Sequence, residues 1–512
     1  MKRRLLVAAV LVALFAAVAA LAGSIGSSGA ARTAYPAPRP TVTDFQFIKA
    51  STPTEADCEA VARTCFTPQA IRSAYNLAPL YANGLNGRGV TIAIVDSYGS
   101  DTMAHDLHVF NQAFGLQSMC GEEGVTCAPG MPKFSELAIN GSPDTKAQPG
   151  NGTHLEDKSA WALEVALDVE TSHAIAPMAN ILLVHSNNAE TLGVQGFPNM
   201  MKAENYVVSN HLAQVISQSF ASAEDAFNGT ASLQNLRYAF QNAAANGVTV
   251  LGSSGDGGSA NGMKSPVATG GKLIPYPTVV WPASDPLVTG VGGTYLCTDP
   301  NATGSPSRAT YFHVGIGAKC GSNTFNAAHA AEVAWTFSGG GFSRVFSRPS
   351  YQAGPLPAGS TPIPASARGV PDIALQASAA TGALVYLSLP PDGTGSNINH
   401  TGWYDIGGTS LSCPQWAGLV AIADQLNKAS HPSEFGLGLI NPALYKLAAN
   451  ASQYGADFFD INHTAAAGVE NNNQGDPSVP GYPATNGWDP VTGLGTPNAA
   501  SLIPDLVAAA HS

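Results

Sequence analysis

Short runs of branched aliphatic residues recur along this chain with helix-patterned segments between them, and that alternation narrows the possible folds more than any other feature. Val90–Val95 (VTIAIV), Ile181–Val184, Gln214–Gln218, Val248–Gly252 and Leu287–Val291 have the length and composition of strands, whereas Asp157–His173, Ser232–Ala245 and Ser412–Leu426 have those of helices. Strands that alternate with helices build βαβ units, so the expectation is an α/β fold: a doubly wound, mostly parallel sheet with helices on both faces. In such a sheet the reactive groups gather at the C-terminal strand ends and the adjoining helix starts. No internal repeat interrupts the pattern. The folded domain is expected from Thr67 to residue 512.

Before it, Lys2, Arg3 and Arg4 precede an apolar run, Leu5–Ala22, that ends in the small-residue pattern Ala20-Leu21-Ala22. That is the layout of a secretory signal over residues 1–22, and it predicts a secreted, extracellular protein free of the membrane after cleavage. Residues 23–66, rich in Ala, Ser, Pro and Thr, read as a leader and linker without a core of their own. Seven cysteines suit an oxidising compartment, and their spacing suggests local pairs: Cys58 with Cys65, Cys120 with Cys127, and Cys297 with Cys320. Cys413 is left over, inside an apolar stretch of a helix, as a small core residue. With 23 Lys and Arg against 35 Asp and Glu, the net charge of -12 leaves no basic footprint for nucleic acid or an anionic membrane. A chain that is only 11% charged also gains little self-repulsion on acidification.

The segment Gly407-Gly408-Thr409-Ser410-Leu411-Ser412-Cys413-Pro414 places a serine at the start of an apolar helix behind two glycines. Ser410 there is either a helix cap or a nucleophile with helix amides nearby to favour negative charge. A nucleophilic serine needs a base. The histidines are scattered without a motif, and the best-placed segment, Asn151-Gly152-Thr153-His154, has Asn where a subtilisin-type catalytic histidine would stand. The alternative base lies in Trp161-Ala162-Leu163-Glu164-Val165-Ala166-Leu167-Asp168-Val169-Glu170. Glu164 and Asp168 are four residues apart and share one helix face, and apolar neighbours crowd both. In a semi-buried cleft one member of such a pair stays protonated while the other can act as base. Glu170 points elsewhere. A further carboxyl, Asp256 in Ser253-Ser254-Gly255-Asp256-Gly257-Gly258, follows a strand end. It is either a turn residue or, held protonated, a hydrogen-bond donor to an oxyanion.

In this order the segments resemble the sedolisin family of serine-carboxyl peptidases, relatives of subtilisin in fold. The resemblance runs from about Thr67 to Pro497 and extends to Trp281-Pro282-Ala283-Ser284, Ser338-Gly339-Gly340-Gly341-Phe342-Ser343 and Arg368-Gly369-Val370-Pro371-Asp372. It implies a subtilisin-like fold, with Ser410 as nucleophile, Glu164 as general base that later protonates the leaving amine, Asp168 as partner of Glu164 and Asp256 as oxyanion donor. It also implies one Ca²⁺ in the Gly/Asn/Pro-rich loop 459–497. Asp460 and Asp489 would supply carboxylates, and Ile461, Thr485 and Gly487 backbone carbonyls. Hard oxygen donors suit that ion; Thr485 stands where the family often has glycine.

Two departures accompany the likeness. Only residues 23–66 separate the signal from the domain start, too few for the family's large folded prodomain. Ser217-Gln218-Ser219-Phe220-Ala221-Ser222 replaces the family's Ser-x-Ser-Trp-Gly-Gly beside the substrate backbone. The resulting expectation is a secreted, acid-acting endopeptidase for protein or peptide substrates, monomeric, with no nucleic-acid or membrane partner. The competing readings are a tripeptidyl exopeptidase of the same family and a non-catalytic binding protein on this scaffold.

Overall fold

The computed structural model describes residues 39–40, 44–139, 155–186, 196–263, 272–303, 320, 330–388, 400–462, 471–473 and 475–512. The signal expected over 1–22 lies outside the described residues. Among the described residues, no helix is long and apolar enough to cross a membrane.

Eight strands make the central sheet: β1 (Thr91–Ser97), β2 (Phe134–Ile139), β3 (Asn180–Ser186), β4 (Val215–Gln218), β5 (Thr249–Ser253), β6 (Thr289–Leu296), β7 (Glu332–Ala334) and β8 (Ile373–Gln376). Their order is β2-β3-β1-β4-β5-β6, after which β6 pairs with both β7 and β8. Every pairing is parallel except that of β6 with β7. Side chains of a strand alternate between faces, and β1 shows what each face meets. Ile92 and Ile94 enter one apolar cluster, whereas Ala93 and Val95 enter another. The first cluster is filled by α1 (Leu155–Ile175) and α4 (Thr409–Ser430), the second by α2 (Gly196–Ser209) and α3 (Tyr238–Ala245). A sheet buried on both faces explains why its strands read as nearly continuous apolar runs. The expected doubly wound α/β architecture is what forms.

α1 and α4 are the innermost helices, buried from Trp161 to Ile175 and from Thr409 to Asp424. They meet closely because Gly418 leaves no room for a Cβ against Ile175, and Ser172 Oγ donates to the Pro414 carbonyl across the contact at 3.1 Å. Pro414 has no N–H for the carbonyl of Ser410 four residues earlier, so the first turn of α4 is held by tertiary contacts.

Within the segment read as leader and linker, the described residues from 44 on join the fold, and one expected helix needs correction. In that segment Phe45–Lys49 (FQFIK) pairs antiparallel with Gly402–Ile406, with Phe45 and Phe47 packed on the first cluster and Ile48 on another. A five-residue helix follows, Glu55–Glu59, with a Thr54/Asp57 capping box. The single helix expected over Ser232–Ala245 is two, Thr230–Gln234 and Tyr238–Ala245. Between them the amides of Leu236 and Arg237 bond three residues back. Arg237 also turns inward to grip the buried Asp285 through two bonds of 2.6 and 2.9 Å, a tighter local winding than a continuous helix permits.

The three cysteine pairs expected from spacing form disulfides, and Cys413 is free and buried. Behind the sheet, the Arg-Gly-Val-Pro-Asp segment builds a fully buried ion pair, Arg368 to Asp372 at 2.6 Å. Asp372 also accepts from the Gly290 amide at 2.8 Å and the Tyr445 hydroxyl at 3.1 Å. Removing one charge of such a pair leaves the other uncompensated in a dry site. Asp372→Ala is therefore expected to cost about 3–5 kcal/mol in urea denaturation; a loss below about 1 kcal/mol would contradict this account of the network.

Candidate active site

α1 carries Glu164 and Asp168 one turn apart, both with no exposed surface. Asp168 Oδ1 accepts from Ser219 Oγ, just past β4, at 3.0 Å. A third carboxyl faces them: Asp96, at the C-terminal end of β1, is also fully buried, and its charge and that of Glu164 both bear on Asp168. Burial first, then these two neighbours, push the Asp168 carboxyl well above its usual range. Burial alone pushes Asp96 up to about 8. His185 is its partner across β3, but burial lowers that imidazole to about 4, so it stays neutral and offers no positive charge. Like charges out of water cannot all ionise, so this group shares protons as one unit. Asp96 escapes a motif search, yet it stands at a C-terminal strand end, where a parallel sheet displays its working residues.

Ser410 lies in the first turn of α4 and is buried. The chain enters this helix through Gly408, whose φ of 112° is open to glycine and strained for other residues. Gly407 packs so tightly on Ala377 and Ala379 that a Cβ would not fit. One turn on, Cys413 Sγ sits 3.4 Å from Ser217 Oγ, and burial together with the nearby Asp168 and Glu164 raises its thiol to about 12. Residues three apart share a helix face, so the face bearing Ser410 is the one turned to the acid pair.

Asp256 follows β5 through Gly255 (φ 97°). Its Oδ1 accepts both the amide and the hydroxyl of Thr409, each at 2.8 Å, and Thr409 Oγ1 in turn accepts from the Gly255 amide at 3.0 Å. The third carboxyl singled out in the sequence is thus tied to the residue beside Ser410. Behind it the Gly339 amide donates to the Gly255 carbonyl at 2.7 Å, and no side chain would fit at Gly339 or Gly340. That close backbone approach accounts for the triple glycine. Ser410, Glu164, Asp168 and Asp256 are therefore gathered where β1, β4 and β5 end and α4 begins.

Residues 87–475 match the Subtilase family profile. The chain belongs to the subtilase family. It is 31% identical to kumamolisin of Bacillus sp. (strain MN-32) over 457 residues, 89% of this chain and 66% of that protein. It is 28% identical to tripeptidyl-peptidase 1 of Bos taurus over 457 residues, 86% of this chain and 64% of that one. It thus spans about two thirds of the length of these curated relatives. The solved structure of Pseudomonas sedolisin, a serine-carboxyl proteinase complexed with two molecules of pseudo-iodotyrostatin, superposes with a TM-score of 0.57 at 25% identity, covering 86% of this chain and 97% of that one. As a subtilase with these relatives, the chain is of serine peptidase type. The segment Asn151–His154 lies outside the described residues.

Phe220–Ala223, which overlaps the Ser217–Ser222 segment, pairs antiparallel with Val280–Trp281 on one side and with the chain's own Arg39–Pro40 on the other. In the C-terminal loop, Asp460 and Asp489 accept from amides only two residues apart, those of Gly487 and Thr485. Asp489 is fully buried, and its carboxyl rises to about 7 through burial despite bonds from the Thr485, Val491 and Thr492 amides. Asp460 accepts from the Gly487 amide at 3.1 Å. Among the described residues, the backbone carbonyls of Ile461, Thr485 and Gly487 accept no backbone hydrogen bond. Two converging carboxylates with spare carbonyls nearby form an all-oxygen donor set that fits a hard cation. The loop's ends are also tied: Phe458–Phe459 pairs with Thr496–Pro497.

The acid cluster fixes a sign for stability against pH. Asp96 titrates near 8 in the folded chain against about 4 when unfolded, and Asp168 is raised in the same direction. The folded state therefore holds protons that the unfolded state has released. The stability they confer is complete below about pH 4 and is lost as pH rises toward 8, at roughly 1 kcal/mol per pH unit for each proton held. Asp96→Asn should flatten that decline in urea midpoints measured from pH 4 to 8; an unchanged slope would rule out Asp96 as a contributor.

Proposed function

We propose that the chain is a secreted serine-carboxyl endopeptidase that hydrolyses peptide bonds in acid through an acyl-enzyme on Ser410. The observation that carries this reading is the joining of Asp256 to Thr409 at the head of α4, on the helix whose first turn faces the Glu164 and Asp168 pair. Nucleophile, base and oxyanion donor then surround one point.

In the first step Ser410 Oγ attacks the scissile carbonyl carbon while Glu164 takes the hydroxyl proton. The carbonyl oxygen becomes an oxyanion and receives a hydrogen bond from protonated Asp256. Since Oδ1 of Asp256 already accepts from Thr409, its proton belongs on Oδ2. Collapse of the tetrahedral intermediate breaks the C–N bond, and Glu164 returns its proton to the leaving amine. Water then repeats the sequence on the acyl-enzyme, with Glu164 again the base. Asp168 and Asp96 hold the proton balance of Glu164. Ser219, which donates to Asp168, fixes that carboxyl in place. Acid is the working range because the donor and the shared cluster need their protons.

The name of the bovine relative supports a second reading, release of tripeptides; product masses from a digested protein separate the two. Asp460, Asp489 and the carbonyls of Ile461, Thr485 and Gly487 would hold one Ca²⁺, which would neutralise the two carboxylates and pin the loop beside the sheet.

Ser410→Ala and Glu164→Gln should each keep the fold and lower turnover by several orders of magnitude; more than about a tenth of wild-type turnover in either would sink the assignment. Asp256→Asn keeps a donor at every pH, so it should retain some activity and move the upper limb of the pH–rate profile toward neutrality. Complete loss with the fold intact would remove the oxyanion role. Chelation should lower the melting temperature and added calcium restore it, by mass action on the native state; a melting curve indifferent to both would overturn the calcium reading.

A further inference from the structure

At the far end of α4 from Ser410, two helices finish side by side. His431 is the C-cap of α4, and His511 is the C-cap of the last helix, which we label α6 (Ala499–Ala510), following α5 (Asn441–Ala448). Their imidazole rings stack with centroids 3.8 Å apart and planes inclined by 21°. Glu434 completes the group, with Oε2 3.6 Å from His511 Nε2. One donor atom from each of the three side chains lies within 4.8 Å of the other two.

Neighbouring groups hold the three in place. Asn427, buried in the last turn of α4, donates Nδ2 to Glu434 Oε2 at 3.1 Å and presents Oδ1 to His511 Nε2 at 2.8 Å. His431 Nδ1 lies 3.1 Å from Ser430 Oγ, which leaves Nε2 as its ligand atom. Beyond His511, the backbone oxygen and hydroxyl of Ser512 take hydrogen bonds of 2.6 and 2.7 Å from Lys446 Nζ on α5. Asn427 therefore bonds the two atoms that would ligate, so a bound ion replaces its contacts to His511 Nε2 and Glu434 Oε2, while Ser430 and Lys446 support the site from outside it.

Three physical features favour a cation here. Each helix C-terminus carries partial negative charge, and two converge on one spot. Two imidazoles stacked face to face repel each other if protonated, whereas a metal binds them neutral. The third donor is a carboxylate. Ligands about 2.0–2.2 Å from a tetrahedral zinc lie roughly 3.3–3.5 Å from one another, so the 3.6 Å edge already fits, while the two rings, inclined by only 21°, must swing out of their stack for both nitrogen lone pairs to meet one ion. Two nitrogens with one oxygen select zinc or a neighbouring transition ion over calcium.

We propose that His431, Glu434 and His511 form a zinc-class metal site that clamps the C-terminus of α6 to that of α4. Three protein ligands leave a fourth position for water or for Asn427 Oδ1 after a shift. The role is structural, separate from the calcium loop and independent of the peptidase reading.

The test is calorimetric titration of Zn²⁺ into the metal-stripped, calcium-saturated full chain at about pH 7. The wild type should bind one equivalent and melt at a higher temperature with zinc. His431→Ala and His511→Ala should each weaken binding at least about tenfold and lose the melting shift. His431→Gln, which retains bulk and a hydrogen-bonding end, should behave like the alanine variant, with circular dichroism confirming its fold. Equal zinc affinity in wild type and variants, or no saturable binding by the wild type at about 100 µM zinc, would overturn the proposal.

Discussion

Taking three carboxyl groups out of water at one point is the most expensive thing this fold does. Each ionised carboxylate moved into a dry interior costs several kcal/mol, and Asp96, Glu164 and Asp168 have no exposed surface. Protonation is how the cluster avoids that cost, and it works only while water and cations are kept away. Both conditions come from the architecture. A sheet covered on both faces supplies the dry interior, and two central helices, one carrying the acid pair and the other the serine, pack closely through Gly418.

α4 links the regions of the molecule. Its N-terminus is fixed by Asp256 through Thr409, its middle by Ser172 and by the Trp416 indole, which donates to the Ala374 carbonyl at 2.9 Å. Its C-terminus reaches the stacked histidines at the surface. A helix held at three stations moves as a rigid rod. Displacing Asp256 therefore disturbs the setting of Ser410 more than loosening of the surface end does.

Much of this was legible in the sequence because the governing patterns are local. Strand-length apolar runs between helix-length segments report a parallel sheet, and Glu164 and Asp168 declare their shared face by spacing alone. Short cysteine separations likewise gave the pairing. What stayed hidden depends on contacts between distant residues. Asp96 looks like the residue that merely follows a strand until α1 is packed across it. Phe45–Lys49 reads as linker until Gly402–Ile406 offers an edge for it to pair with. The break after Gln234 follows from Arg237 reaching Asp285, 48 residues on, which helix propensity does not register. His431 and His511 meet only because two helices of different length end together.

Cys413 shows what the buried acid cluster does to its neighbours. Thiol–disulfide exchange proceeds through the thiolate, and this thiol is raised to about 12 in a site with no exposed surface. It is thus denied both the charge state and the access that attack on a disulfide requires. Three disulfides and an odd cysteine normally invite scrambling. Here the burial that keeps Cys413 protonated, with the acid pair beside it, also withholds the one free thiol among the described residues from exchange with the three disulfides.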